Sequence, residues 1–264
     1  MKRVSFTLTE LLVVILIIAL LMAIITPLLR SSRQRAKSIL CSSNIKQLSV
    51  GLFSYETQNQ TFPAGFDNTR TDRPPGNYAG FSYDRSGWWW FNFIEGYYKR
   101  TDERNTVVKC PSKWLTDLNL NNDILCGNYG VNYFVCKGTV DSSTKKEFTG
   151  KPLSSNNIPN PAKTLLIVDS SYTIISWWHV TDSPPVILGN KIIEDTAYVP
   201  GLKINKDRKL WSGQQQDAIN GRHPNKTVNV GFVDGHISCI KADDLLIEKI
   251  NNSYNNQIPL WIPK

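Results

Sequence analysis

Apolar residues run without a break from Leu11 to Ile25 in TLTELLVVILIIALLMAIITPLLR, and beyond them the pattern becomes periodic. At about 1.5 Å per residue, a helix over residues 6–29 is long enough to cross about 30 Å of hydrocarbon. Past Pro27, the residues Cys41, Ile45, Leu48, Leu52 and Tyr55 recur at steps of three and four, with Ser, Arg, Lys and Gln between them. That spacing marks one apolar face of a continuing helix. Pro27 kinks such a helix without ending it, because membrane helices tolerate proline. The pattern predicts a single element from Phe6 to about Gln58, roughly 80 Å long. Thr61-Phe62-Pro63 closes it. Its first half belongs in a membrane or a filament core, and its second half lays its stripe on a globular body.

Residues 59–264 read differently. VVKCP, YGVNYFVC, KTLLIVDSSYTIISWW and TVNVGFVDGHISCI are rich in β-branched and aromatic residues and have strand character. NTRTDRPPGNYAG, IPNPAKT and TDSPPV punctuate them as loops. Asp234-Gly235, between two apolar runs, predicts a hairpin with a two-residue turn. In that register Val233 faces His236, Phe232 faces Ile237 and Val230 faces Cys239. Val228, Val230, Phe232, Ile237 and Cys239 then share the core face, and Asn229 and His236 share the other.

Composition narrows the class. A chain of 264 residues holds one medium domain with an appendage, or two small domains, and 41% apolar against 20% charged residues fits a body that folds as a globule. The net charge of +8 is scattered, except for Arg30, Arg33, Arg35 and Lys37 just after the apolar run. A basic collar there is attracted to anionic lipid headgroups. There is no zinc-finger spacing, RNA-recognition signature or helix-turn-helix pattern, so no nucleic-acid partner is expected. None of the five cysteines forms a CxxC pair, which removes the strong zinc and thioredoxin readings. Cys126 and Cys136 are the nearest candidates for a local disulfide; the competing reading is buried, reduced thiols.

Glu10 is the anomaly of the amino terminus, since an unpaired carboxylate is costly at the edge of hydrocarbon. A secretory signal fits poorly: the apolar run is too long and no small-x-small cleavage site follows it. A plain membrane anchor leaves Glu10 unexplained. SFTLTELLVVILIIALLMAIITP resembles the prepilin segment of type IV pilins and type II secretion pseudopilins. In that family a short basic leader is cut before a phenylalanine, whose new amino group is methylated. A glutamate stands fifth in the mature chain, and a proline often stands near the twenty-second position. Here Phe6 follows Ser5, Glu10 is fifth from Phe6 and Pro27 is twenty-second. The position before the cut holds Ser5, where the family usually has glycine.

The resemblance implies a leader at 1–5, a transmembrane and assembly helix at 6–58 and an extracytoplasmic body at 59–264. Glu10 would meet the amino group of a neighbouring Phe6 and set the axial register between subunits. The bland alternative is a glutamate that caps the first helical turn, where the helix dipole favours it. Charge counting alone would put residues 30–37 in the cytoplasm. The family arrangement is the reverse, because the leader must face its cytoplasmic peptidase. Implied partners are a prepilin peptidase/methyltransferase, copies of the chain or related minor pilins, assembly-platform proteins and inner-membrane lipid.

GRHPNKTVNVGFVDGH is similar to the carboxy-terminal motif of a pilin-like, prepilin-processing-associated family named for an H-X9-DG signature. Ten residues, one more than the name implies, separate His223 from Asp234 here. CSSNIKQL, KCPS around Cys110, NYGVN and NPAKTLLIVD also match that family's ordered landmarks. Within the motif, Arg222, His223, Asp234, Gly235 and His236 are read as structural. The competing reading, a metal or acid–base site at His223, Asp234 and His236, rests on residue type alone, and a carboxylate in a DG turn ordinarily stabilises the turn. No nucleophile elbow, HExxH or P-loop occurs, and neither enzyme activity nor a cofactor or metal is expected. Trp88, Trp89 and Trp90 form a candidate ligand surface, since adjacent tryptophans on an extended strand cannot all point inward.

The reading is an α+β, pilin-like fold, with a long amino-terminal helix packed on an antiparallel sheet. The function implied is a structural pilus or pseudopilus subunit, single-pass in the bacterial inner membrane with its body in the periplasm. The alternative is an anchored glycan- or ligand-binding protein that does not polymerise.

Overall fold

The computed structural model describes residues 7–70, 72, 87–98, 107–139, 146–183 and 197–263. The processing pair Ser5 and Phe6 lies outside the described residues, as does most of the NTRTDRPPGNYAG loop. Helix α1 spans Leu8–Asn59, 52 residues, and contains Pro27. It opens on a capping box: the Thr7 backbone N–H and hydroxyl both donate to Glu10 Oε2, at 2.8 and 2.7 Å, and Glu10 N donates back to Thr7 Oγ1. Two orphan donors of the first turn are satisfied in this way. The helix ends where Gln60 turns left-handed at φ 62° and its N–H reaches Glu56 O.

The two halves of α1 have opposite surroundings. Large apolar side chains from Leu8 to Leu29 are exposed, between 45% and 79%. Among the described residues, α1 is the one helix long and apolar enough to cross a membrane. Cys41, Ile45, Leu48 and Leu52 are fully buried, as the period predicts. Tyr55 is half-buried, while Ser49, Gly51 and Glu56 widen the stripe. Gly51 lets α1 approach the body closely: a Cβ there would lie 3.2 Å from Ile94 Cδ1.

The strands in chain order are β1 (Phe66–Asp67), β2 (Trp88–Trp89), β3 (Tyr129–Asn132), β4 (Leu165–Asp169), β5 (Ile174–Ile175), β6 (Thr227–Phe232), β7 (Ile237–Lys241), β8 (Glu248–Ile250) and β9 (Ser253–Asn255). Five of them form the central sheet in the order β5-β3-β4-β6-β7. The sheet is mixed rather than purely antiparallel, because β5 pairs parallel to β3. Residues 170–173 carry the chain from the end of β4 around the start of β3, so β5 reverses β4 and therefore runs with β3. Gly130 permits this crossing, since a Cβ there would sit 2.6 Å from Tyr172 O. VVKCP is a turn rather than a strand.

Helix α1 covers one face of the sheet. A second apolar layer of Trp177, Trp178, Leu245, Leu246 and Trp261 covers the other. With both faces covered, β4 is buried at all five positions and β6 at five of six, as a doubly packed strand should be.

The β6–β7 hairpin forms, but one residue out of the predicted register. Val230 faces Ser238 and Gly231 faces Ile237. The loop is Val233-Asp234-Gly235, closed by Phe232 N–H donating to His236 O, with Gly235 at φ +87°. A three-residue loop with a left-handed glycine replaces the two-residue turn, and a one-residue slip exchanges the faces. Val228, Val230 and Phe232 consequently meet the second apolar layer. Asn229 and Gly231 turn toward α1, and Ile237 packs in the cluster that contains α1. His236 stacks on Phe232 at 4.1 Å, and Cys239 is exposed.

Candidate functional site

The landmarks quoted from the sequence converge on one buried seam between α1 and the sheet. Cys41 and Asn44 come from α1. Cys110 comes from the turn at KCPS, and Asn128 stands just before β3. Asp169 ends β4, Arg222 and His223 precede β6, and Asn229 lies within it. Polar side chains at this depth need partners, and most find them here, though Asp169 Oδ1 and His223 Nδ1 have none among the described residues.

Asp169 Oδ2 accepts three hydrogen bonds: from Asn229 N at 2.7 Å, His223 Nε2 at 3.0 Å and Asn229 Nδ2 at 3.1 Å. The side chains of His223 and Asp169 have no exposure at all. Burial opposes a charge on His223, but the hydrogen bond and charge of Asp169 outweigh it and raise the imidazole above the usual histidine range. The pair resembles an acid–base dyad in chemistry. Buried as it is, it ties the end of β4 to the segment before β6 and, through Asn229, to β6 itself.

Arg222 and Asp217 form a second closed pair. Arg222 Nε and Nη2 donate to the two carboxylate oxygens at 2.8 and 2.7 Å, and Nη1 donates to Asn128 O at 3.0 Å. Tyr198 Oη and Trp114 N also donate to Asp217, at 3.0 and 3.2 Å. A bidentate fork with every lone pair used is the geometry in which a buried ion pair is tolerated, and deleting one partner from such a pair costs about 3–5 kcal/mol. Burial and the neighbouring carboxylate together push the Tyr198 phenol well up.

The cysteine turn is fastened from both sides. Cys110 N–H donates to Asn128 Oδ1 at 2.9 Å, and Asn44 of α1 donates to Lys109 O and Tyr129 Oη at 3.2 and 3.1 Å. Cys41 Sγ and Cys110 Sγ then lie 3.2 Å apart. A carboxylate oxygen of Asp169 lies within 4.8 Å of both. The sulfurs that meet are therefore these two rather than Cys126 and Cys136; all four are buried free thiols.

At the far end of β6 the DG turn rests on the same helix. Lys46 Nζ donates to Gly235 O at 2.7 Å, and Phe53 lies 3.3 Å from where a Gly235 Cβ would be. His236 donates from its backbone N–H at 3.1 Å to Asp234 Oδ1, which its Nδ1 meets at 2.6 Å. Partial burial works against ionising Asp234, but these contacts win and hold its carboxyl below the usual range. From Cys41 to Phe53, α1 advances about 18 Å, and from Asn229 to its end at Phe232 the strand advances about 10 Å before the DG turn. The motif thus lies along the helix and fixes it at both ends.

Two alternative readings of the sequence do not match the geometry. His223, Asp234 and His236 do not form one cluster, because the whole of β6 separates His223 from the other two. Nor do the tryptophans present a platform. Trp89 and Trp90 are buried, as are Trp177 and Trp178. Trp88 is half-buried, with the Arg70 guanidinium 4.5 Å over its ring. The segment leaves the extended state at Trp90, where a short helix Trp90–Phe93 begins, so adjacent rings need not alternate outward. Trp90 Nε1 is satisfied inside by Thr173.

Arg222 and His223 stand together in one sequence motif, while their partners Asp217 and Asp169 come from other parts of the chain. Asp169 carried a signal, as the last residue of a quoted landmark; Asp217 carried none. Comparison of the chain with family models, with curated proteins and with solved structures gives no match.

Proposed function

We propose that this chain is a pilin-like structural subunit of a type IV pilus or a type II secretion pseudopilus. It is anchored once in the bacterial inner membrane with its body in the periplasm. A separate prepilin peptidase/methyltransferase cuts between Ser5 and Phe6 and methylates the new amino terminus. The subunit then joins copies of itself or related minor pilins through its helix, guided by assembly-platform proteins.

The observation that carries the reading is the division of α1. One continuous helix exposes an apolar half and seals its other half into the body. An exposed apolar surface of that size needs lipid or other helices around it, and the rigid junction lets the body follow wherever the helix docks. The collar of Arg30, Arg33, Arg35 and Lys37 sits at the boundary between the halves. The chain's own role in this reading is structural, and the chemistry belongs to its processing enzyme.

Mass spectrometry of the amino terminus of the chain from its native envelope tests the proposal. The expected species begins at a methylated Phe6. A chain that still begins at Met1 would sink the filament reading and leave a permanent anchor.

A further inference from the structure

We infer that Cys41 and Cys110 are joined by a disulfide in the exported protein, fastening the assembly helix covalently to the body. The two sulfurs are 69 positions apart in sequence and 3.2 Å apart in space, and both residues are buried, 0% and 1% exposed. Their backbones are held independently, Cys41 within α1 and Cys110 by Asn128 and by the Asn44 bond to its neighbour. The thiols are therefore aimed at each other by rigid surroundings.

The separation decides between the two chemistries open to this pair. Two thiolates on a tetrahedral zinc, at about 2.3 Å each, stand about 3.7 Å apart. A disulfide brings them to about 2.05 Å. At 3.2 Å the sulfurs already sit closer than zinc would hold them. The remaining donors also suit zinc poorly. Asp169 Oδ2 is committed to His223 and Asn229, which leaves Oδ1 as the third ligand, and among the described residues the group holds no fourth. Burial holds the Cys110 thiol up as a neutral donor toward Cys41, and a neutral disulfide suits this depth better than a thiolate.

The bond forms by exchange with an oxidised protein or low-molecular-weight disulfide of the compartment. One cysteine, as thiolate, attacks the donor disulfide and releases the donor's first thiol. The second attacks the resulting mixed disulfide and releases the other. Two cysteine thiols are oxidised, one donor disulfide is reduced to two thiols, and the cysteine protons end on those thiols. Because both sulfurs are sealed in the finished seam, exchange precedes or accompanies docking of the helix. The inference rests on the export proposed above, since cytosolic thiols stay reduced.

The test uses the full chain, acid-quenched in cells, alkylated and peptide-mapped without reduction, beside purified detergent-solubilised chain refolded in a glutathione redox buffer. Both samples are expected to give a Cys41–Cys110 linked peptide, with Cys126, Cys136 and Cys239 alkylated. Dithiothreitol should lower the Tm of the oxidised chain by about 10 °C, as closing a loop of this length predicts. It should leave the Tm of a Cys41→Ser/Cys110→Ser chain unchanged. A linked peptide in the buffer but free thiols in cells would overturn the bond in vivo and count against export. Free thiols in both samples, or one zinc per chain protecting them from alkylation, would overturn the pairing itself and leave the export reading standing.

Discussion

His223 shows at the scale of one residue how the seam responds to its surroundings. Its folded-state pKa lies above the unfolded value near 6.5, because Asp169 outweighs the burial that would lower it. A raised pKa contributes stability that is fully present below about 6.5 and is lost as pH rises through the folded value. Melting temperature measured between pH 5 and pH 9 should therefore fall more steeply on the alkaline side for the native chain than for His223→Gln. Glutamine keeps a donor for Asp169 without a titratable group. Equal slopes in the two chains would mean that the imidazole is neutral throughout and acts as a hydrogen-bond donor only.

The element that matters most is β6 where it lies against α1. Gly231 faces the helix, and a Cβ there would lie 2.7 Å from Ile167 Cγ2, 2.9 Å from Ser49 Oγ and 3.1 Å from Ile45 Cγ2. Two of these atoms are methyls of β-branched side chains, which are stiff at χ1 and yield little. Gly231→Ala should consequently push α1 off the sheet and cost about 1–3 kcal/mol, the usual range for an overpacked core. Urea unfolding followed by tryptophan fluorescence measures it. A substitution within about 0.5 kcal/mol of the native chain would mean that the seam has slack.

For the whole molecule the open question is what meets the exposed half of α1. Glu10 is already used within its own chain, where it completes the capping box with Thr7. That local role and the proposed assembly role make different predictions for two substitutions. Gln supports a capping box as Glu does, but it carries no charge to pair with the amino group of a neighbouring Phe6. If register between subunits depends on that charge, Glu10→Gln and Glu10→Ala should both abolish recovery of the chain in sheared filaments, scored by immunoblot. Filaments that accept the glutamine chain at native levels would leave capping as the whole role of Glu10. Neither substitution should disturb the body, since this half of the helix buries nothing against it.

The long helix, the division of its two halves and the existence of the β6–β7 hairpin are legible in the chain alone. Each is written in short-range periodicity and composition, which a local reading captures. It also marked Arg222, His223 and the DG turn as fixed points. Only the tertiary structure supplied their partners. Asp169 meets His223 from 54 positions away, Asn128 meets Arg222 from 94, and Cys110 meets Cys41 from 69. Periodicity carries no information over such distances, because which strand lies beside which follows from packing the whole sheet. The hairpin register failed for a related reason: Asp-Gly fits either a two- or a three-residue loop, and burying Val228, Val230 and Phe232 while Gly231 faces α1 selects the longer one. The tryptophan rings escape the alternation of an extended strand because the chain turns into a helix at Trp90. Covering the sheet on both sides buried their rings, so the whole fold decided what the local pattern left open.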